Sequence, residues 1–453
     1  AQSVDGIWLY HRWRLRHQEG EAAFEAAAGA LSAIDSPEAQ RLRAKCLILW
    51  SNFHLDQGRK HRTLKTARRG MALLRELEAA GNDVRREMAL AEFHEARIKR
   101  YFRPDPLEAQ ESYRQSAALY EAVGDRWGLA RALGYLGSMA EQLGHFGEAQ
   151  ELCEKSLVIR QELGDQRGMA DAMLNLGIIA WVQGRLDEAQ RLLRESLSIF
   201  RTLDDLVRMA QTVKSVGEVL VRRGLFEEGL AVMESSIDIY DDLGYGYGVW
   251  GLYPFLAEAN VHLGRYEEAR AGALQGASHA DRSKHRWGVG FSQFVGGLAM
   301  LAEGAHDEAL ALFQESVAAF REVRQQENRG WALGPSGLAA RAAGDPALAR
   351  QCVVEALEIG VDLDAFMPAV YGLPVAALLL ADQGAVDRAV EVYACASRYE
   401  FVAKSRWFED VAGQQIRTAA TSLPAEAVAS AKERGRAQDW DVMAAAVLTE
   451  VGD

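Results

Sequence analysis

The phrase Gly184-Arg-Leu-Asp-Glu-Ala189 recurs along the chain at intervals of 40 residues. Its copies begin at seven glycines that keep this spacing without an insertion: Gly144, Gly184, Gly224, Gly264, Gly304, Gly344 and Gly384. The last two copies are degraded versions of the phrase. A fixed period of this length is typical of solenoid proteins, in which each repeat is one supersecondary unit that stacks on its neighbours.

Three further columns of the repeat hold small residues in every copy. Seven residues before each glycine stand Gly137, Gly177, Gly217, Ala257, Gly297, Gly337 and Ala377. Twelve residues after it stand Ser156, Ser196, Ser236, Gly276, Ser316, Ala356 and Ala396. The third column is the Ala or Gly that closes each phrase. Small side chains let two helix axes approach closely, so we expect these columns to mark helix crossings.

Apolar residues recur between the columns at helical spacing, which predicts two helices in each repeat. The first helix is expected to end near the glycine of the phrase, because glycine suits a left-handed turn. The second is expected to end at stops such as Leu163-Gly164-Asp165. The pattern therefore predicts an all-α solenoid of antiparallel helix pairs, about ten in number.

The regularity of the repeat divides the chain into three predicted regions. Residues 1–103 are expected to form irregular N-terminal helical repeats, in which Trp8 to Leu31 is a first, atypical pair. Residues 104–397 hold the regular 40-residue repeats. Residues 398–453 are expected to be C-terminal capping helices, because a terminal repeat must cover apolar surface with a polar outer face.

The composition of the 453 residues limits the possible partners. Apolar residues make up 49% and charged residues 25%, which are ordinary globular values, and no apolar run approaches the ~20 residues of a membrane span. The net charge of −13 disfavours binding to nucleic acid or an anionic membrane. Residues 1–103 are locally basic, and the stretch from Arg59 to Arg69 is compatible with phosphate binding or with a solvated helix face.

The order of a small residue, Gly-x-[Tyr/Phe]-x-x-Ala and a second small residue resembles the tetratricopeptide repeat over about residues 40–400. The family pattern is lost where His306, Pro346 and Val386 replace the aromatic residue. The resemblance implies a right-handed superhelical solenoid whose first helices line an inner groove.

A narrower resemblance is to the tetratricopeptide sensor region of bacterial signal transduction ATPases with numerous domains (STAND proteins), including regulators of the MalT and AfsR type. It rests on three segments: Ala180 to Arg185, Glu195 to Phe200 and Arg406 to Glu409. Such a sensor binds an inducer or partner and relieves inhibition of an attached nucleotide-binding domain. The phosphate loop of that domain, Gly-x-x-x-x-Gly-Lys-[Ser/Thr], does not occur in these residues, so an upstream domain of the parent chain would have to supply it.

Motifs for catalysis or metal binding are weak. Gly246 to Gly251 matches Gly-x-Gly-x-x-Gly, but it follows a predicted helix rather than a strand. The histidines form no H-E-x-x-H pattern. The four cysteines form no C-x-x-C pair, which is consistent with a reducing cytoplasm. We therefore expect no catalytic residues, no cofactor and no metal site.

Aromatic residues cluster at the positions of the first helices that should face the groove. We predict a ligand or peptide site formed by Tyr247, Trp287, Phe291, Phe294, Trp331 and Tyr371. The alternative interpretation is that these rings pack between helices as core. Pro254, Pro335 and Pro374 are expected inside three first helices, where kinks would widen the groove, free backbone carbonyls toward a ligand, or simply set the curvature of the superhelix.

These patterns predict a non-catalytic recognition module in the cytoplasm. The leading hypothesis is the sensor domain of a multidomain signalling or transcription-regulating ATPase, which binds a peptide, protein or small inducer in the concave groove. The alternative is a free-standing scaffold that bridges two proteins. A third possibility, contact with nucleic acid through residues 1–103, is disfavoured by the net charge.

Overall fold

The computed structural model describes residues 2–14, 16–102, 106–242, 251–282 and 285–451. Across these ranges the regular secondary structure is helical, without a strand. The chain divides into two compact units. Unit 1 comprises residues 1–176 and 198–207, and unit 2 comprises residues 177–197 and 208–453, so the division falls within three helices.

Within the described ranges the helices follow one another through short connections. The first twelve are α1 (Gln2–Trp13), α2 (His17–Leu31), α3 (Pro37–Asp56), α4 (Lys60–Ala79), α5 (Arg85–Phe102), α6 (Pro106–Ala122), α7 (Arg126–Gln142), α8 (Phe146–Leu163), α9 (Gln166–Val182), α10 (Leu186–Thr202), α11 (Leu206–Arg222) and α12 (Phe226–Asp242). The next eight are α13 (Tyr253–Leu263), α14 (Tyr266–Arg282), α15 (Arg286–Ala302), α16 (His306–Glu322), α17 (Gln326–Ala342), α18 (Pro346–Leu363), α19 (Phe366–Asp382) and α20 (Val386–Ala396). The last are α21 (Glu400–Ala403), α22 (Arg406–Phe408), a π-helical turn (Glu409–Gly413), α23 (Gln414–Ala420), α24 (Ala425–Arg436) and α25 (Trp440–Val451).

The 40-residue register of the sequence is reproduced by the helices. α7, α9 and α11 begin at Arg126, Gln166 and Leu206, and each is followed by a second helix. All seven phrase glycines have φ between 69° and 87°, the left-handed conformation that ends the first helix of a pair. The predicted all-α solenoid of helix pairs is confirmed.

The columns of small residues lie where the two helices of a pair cross. A Cβ atom added to Gly137 in α7 would lie 2.6 Å from the Cys153 sulfur in α8. Ser156 donates its hydroxyl to the Ala130 carbonyl oxygen at 2.7 Å, and Ser316 donates to Gly290 at the same distance. A larger side chain at either kind of position would separate the pair.

The two ends of the chain differ from regular repeats. α24 packs on α20, and α25 packs on α18 and α19, so the last two helices cover the end of the stack. Residues 399–413, hereafter the inner segment, instead contact α13, α15 and α19. Pro335 and Pro374 lie inside α17 and α19 as predicted, but Pro254 stands in the first turn of α13, where a proline does not interrupt the helix.

Candidate functional site

The structure brings together the predicted aromatic residues that it describes, all in unit 2. The rings of Trp287 and Phe291 stack with centroids 5.2 Å apart, and Phe291 lies 6.1 Å from Trp331. Phe294 lies 5.5 Å from Tyr371. Tyr247 falls outside the described residues. The five described residues therefore form one cluster.

These rings do not line an open groove. Phe291, Phe294 and Tyr371 are completely buried, Trp331 is 3% exposed, and Trp287 is partly buried. The expectation of an exposed aromatic surface is thus corrected for four of the residues, which pack as core. A role of the cluster in ligand binding stays a prediction.

The inner segment covers the Tyr371 end of the aromatic cluster. Its Phe401, Trp407 and Phe408 rings are fully buried and lie 6.0, 5.9 and 5.5 Å from the Tyr371 ring. The Trp407 indole donates to the Leu298 carbonyl oxygen at 2.7 Å. This contact fixes the inner segment against α15.

A close backbone approach holds the other end of the inner segment. A Cβ atom on Gly224 would lie 2.6 Å from the Glu400 carbonyl oxygen. The phrase glycine at this position thus serves a helix turn and a tertiary contact at once. Any larger residue would push the inner segment away from α11 and α12.

A buried ion pair lies beside these rings. Arg222 donates two parallel hydrogen bonds of 2.8 Å to the Glu258 carboxylate, and the two side chains are only 1% and 2% exposed. The guanidinium also lies over the rings of Trp181, Trp331 and Phe401, at 5.1 to 5.5 Å from their centroids. Bidentate geometry and aromatic faces are the surroundings in which a buried arginine is best stabilised.

A chain of polar side chains connects this ion pair to the inner segment. The Tyr371 hydroxyl lies 3.3 Å from both the Glu258 carboxylate and His262 Nε2, and His262 Nδ1 lies 2.8 Å from the Ser405 hydroxyl. Because a carboxylate only accepts, Tyr371 donates to Glu258. Burial, and then the charge of Arg222, lower the pKa of His262 well below its ordinary range, so the imidazole is neutral near pH 7.

The inner face of unit 1 has a different chemistry. The first helices α3, α5, α7 and α9 present polar side chains, and α1 lies against them. Asp5 of α1 pairs with Lys45 at 2.6 Å, and Arg12 pairs with Asp56 at 2.9 Å. α1 packs on α2, with which it was expected to form a first, atypical pair, and its side chains also reach across several repeats.

Rings and guanidinium groups fill the space between these two ion pairs. Trp8 meets His94 edge to face with centroids 5.5 Å apart, and Arg131 lies over the Trp8 ring at 5.7 Å. Farther along, Arg167 of α9 lies over Trp13 at 4.6 Å. α1 thus contacts the first helices of four successive pairs within unit 1.

Several buried polar atoms around Trp8 have no hydrogen-bond partner among the described residues. They are the Trp8 indole nitrogen, both ring nitrogens of His94, and Nε and Nη2 of Arg131. Burial, and then the charges of Arg131, Arg97 and Arg12, lower the pKa of His94 well below its ordinary range. Unsatisfied buried groups of this kind are few in native proteins, and their concentration at one place calls for an explanation.

A cleft opens beside this region between α1 and the first pairs. It has a volume of about 30 Å³, room for a water molecule or two. Charged and aromatic side chains line it: Asp5, Lys45, Arg86, Glu87, Tyr120, Asp125 and Trp127, with Leu90 the one aliphatic residue. Burial raises the pKa of Tyr120 to about 12, so its hydroxyl stays protonated and can donate.

Sequence reasoning missed the unit 1 face because the spacing of the repeat fails there. α3 and α5 begin 48 residues apart by their first residues, Pro37 and Arg85, rather than at the regular interval. Arg131 and Arg167 occupy the same positions of the repeat as the predicted aromatic residues. Those positions were the sequence signal that could have identified the unit 1 face. Among the described residues, no group of three potential ligands could hold a metal ion, and none of the described helices has the length and apolarity of a membrane span.

Residues 129–202 match the family model of the tetratricopeptide repeat. The sequence has no significant match among curated proteins. The repeats predicted from the sequence are confirmed over the matched residues, and repeats of this type generally form non-catalytic protein-binding scaffolds.

Solved structures share the fold at low sequence identity. A Rap protein complexed with competence and sporulation factor is similar with a TM-score of 0.57 and 12% identity, over 77% of this chain and 99% of that one. Aspartyl phosphate phosphatase F from Bacillus subtilis is similar with a TM-score of 0.51 and 12% identity, over 79% and 93%. A STAND protein with a tetratricopeptide repeat sensor from Pyrococcus horikoshii matches with a TM-score of 0.46 and 14% identity, over 75% of this chain and 52% of that one.

Proposed function

We propose that this chain is a non-catalytic recognition module that binds a peptide or protein segment on the inner face of unit 1, and that it is the sensor region of a multidomain signalling ATPase. One observation carries the recognition function. The inner face of unit 1 already holds a helix, α1, through ion pairs and ring contacts contributed by successive repeats.

The chemistry of this face supports recognition rather than catalysis. Two cation–carboxylate contacts orient the charged groups at one end of this face, where Asp56 pairs with Arg12 and Arg97. Burial raises the pKa of Asp56, but the two guanidinium groups more than offset that effect and hold it at about 2. A carboxylate fixed in its charged form is suited to binding a cation and poorly suited to proton transfer near neutral pH.

The fold-level likeness to a Rap protein complexed with competence and sporulation factor is compatible with this proposal. The assignment to a sensor arm rests on the sequence resemblance to STAND sensor regions. Sequencing the parent gene upstream of the codon for Ala1 separates the two main hypotheses. A phosphate loop there supports the sensor, whereas a start codon close by supports the free-standing scaffold.

Site-specific crosslinking in living cells tests the recognition function directly. Benzoylphenylalanine replaces Trp127, which is partly exposed and lines the cleft, and in a matched control it replaces Val158, which is 51% exposed on a second helix. A partner bound on the inner face crosslinks from position 127 and not from position 158. Crosslinks from neither position, or equally from both, contradict the proposed function.

A further inference from the structure

The face that α1 turns toward the solenoid has a simple pattern. Asp5, Trp8 and Arg12 stand at positions i, i+3 and i+7, which lie on one side of a helix. The opposite side is solvated, since Ile7 and Tyr10 are 48% and 49% exposed. This side of the helix therefore presents one acidic, one aromatic and one basic side chain. Further apolar and ring contacts of α1 come from Val4, Leu9 and Trp13.

The solenoid offers a matching group for each of these three side chains. Lys45 forms an ion pair with Asp5 at 2.6 Å, and Asp56 forms one with Arg12 at 2.9 Å. Arg97 binds the second oxygen of Asp56 at 2.8 Å, so the carboxylate is oriented independently of α1. His94 and Arg131 surround the aromatic ring between these two charges.

α1 leaves part of this surface unsatisfied. The ring nitrogens of His94 and two nitrogens of Arg131 are buried under Trp8 without a hydrogen-bond partner. Such groups weaken the hold of the present occupant, because their desolvation is not compensated. We expect a ligand that supplies an acceptor at this point, such as a tyrosine hydroxyl in place of the indole, to bind the same surface better.

We propose that the inner face of unit 1 is a docking site for a helix of a partner protein with the pattern acidic-x-x-aromatic-x-x-x-basic, and that α1 is its intramolecular occupant, which the partner helix replaces. This inference rests on the proposed function and specifies the partner. Recognition of three anchors on one helix face is a common mode of peptide binding in grooves.

The test uses the full chain and a labelled synthetic peptide of residues 1–14 as the probe. In the wild-type protein α1 competes with the probe. In the variant Asp5→Lys/Arg12→Glu, both ion pairs of α1 become repulsive and the site is freed. Fluorescence anisotropy is expected to show binding at least about tenfold tighter to this variant than to the wild type.

Matched controls separate this outcome from non-specific effects. Ile7→Ala alters the solvated side of α1 and is expected to bind the probe as weakly as the wild type does. A probe that itself carries Lys at position 5 and Glu at position 12 is expected not to bind the freed site. Circular dichroism verifies that the solenoid is intact; if the double variant is unfolded, Trp8→Ala, which introduces no charge, replaces it.

Two results overturn the inference. One is equal affinity of the wild type and the freed variant for the probe, because α1 would then not compete. The other is no binding to either freed variant. If the probe fails while position 127 still crosslinks a partner in cells, the proposed function stands and the α1 inference is wrong; if both fail, neither stands.

Discussion

Neutralising Glu258 is expected to destabilise unit 2 strongly. Glu258→Gln keeps the volume and the hydrogen-bonding oxygen, but it leaves the Arg222 guanidinium without its counter-charge in a site where that side chain is 1% exposed. Removal of one partner from a buried ion pair costs about 3 to 5 kcal/mol. The opening equilibrium of the surrounding helices should rise by roughly two to four orders of magnitude.

The double variant Arg222→Met/Glu258→Met separates the charge effect from packing. No uncompensated charge remains, and the methionine thioether can pack on the Trp181 and Trp331 rings that the guanidinium now covers. The Tyr371 hydroxyl loses the Glu258 carboxylate and keeps His262 as a partner, so this loss costs at most on the order of 1 kcal/mol. We therefore expect the stability of the double variant to lie within about 2 kcal/mol of the wild type, well above that of the single variants Arg222→Met and Glu258→Met.

Hydrogen exchange measured by mass spectrometry is the suitable assay, because long repeat arrays do not unfold in a single step. The free energy of opening is compared for peptides from α11 and α13. As a control, Glu195→Gln breaks the exposed pair with Arg191 and should cost less than about 1 kcal/mol. A loss below about 1 kcal/mol for Glu258→Gln, or a double variant less stable than both single variants, would refute the reasoning.

Three further predictions concern other contacts. Trp407→Ala removes a fully buried indole and its hydrogen bond to the Leu298 carbonyl oxygen. The protection of the inner segment against hydrogen exchange should therefore fall by about 3 to 5 kcal/mol. Unchanged protection would mean that other contacts hold the segment. Gly137→Ala should lower the melting temperature, because the new methyl group clashes with the Cys153 sulfur. Gly147→Ala has open space around the new methyl group and should raise the melting temperature slightly. Equal shifts would contradict the close crossing of α7 and α8 at Gly137. The pKa of His94 is depressed in the folded protein, so on acidification the unfolded chain takes up the proton first, and stability is lost as pH falls below 6.5, by up to about 1.4 kcal/mol per pH unit. The variant His94→Phe should therefore lose less stability between about pH 7.5 and about pH 5.5 than the wild type does. Identical losses in the two proteins would exclude this contribution.

The fold could be predicted from the sequence because the decisive interactions are local. The helix turn at each phrase glycine and the helix crossing at residues such as Gly137 lie within a single repeat, and the same residue types recur at these positions in the other copies. The periodicity also identified the correct face of the first helices, since Phe291, Trp331 and Tyr371 all point to one cluster.

The segments that cover the inner faces, the inner segment in unit 2 and α1 in unit 1, could not be predicted in the same way. The inner segment and α1 follow no repeat, and their contacts span long stretches of sequence, as between Trp407 and Leu298 or Arg12 and Asp56. Periodicity reports which side of a helix is apolar, but it does not distinguish burial by a neighbouring helix from exposure to a ligand. The unit 1 face was missed for the further reason that polar anchors such as Lys45 look like ordinary solvated residues.

The chemistry of the two covers indicates which face is free to exchange its occupant. In unit 2 a ligand that reaches the Tyr371 end of the aromatic cluster must first expose Phe401, Trp407 and Phe408, all fully buried. At about 1.5 to 3 kcal/mol for each ring, this exposure weakens binding by roughly three to six orders of magnitude. In unit 1 the occupant buries one tryptophan and leaves polar atoms of His94 unsatisfied. Displacement of α1 therefore costs less and exposes groups that a ligand can satisfy, so the polar face of unit 1 is the better candidate for recognition, although the aromatic residues of unit 2 gave the stronger sequence signal.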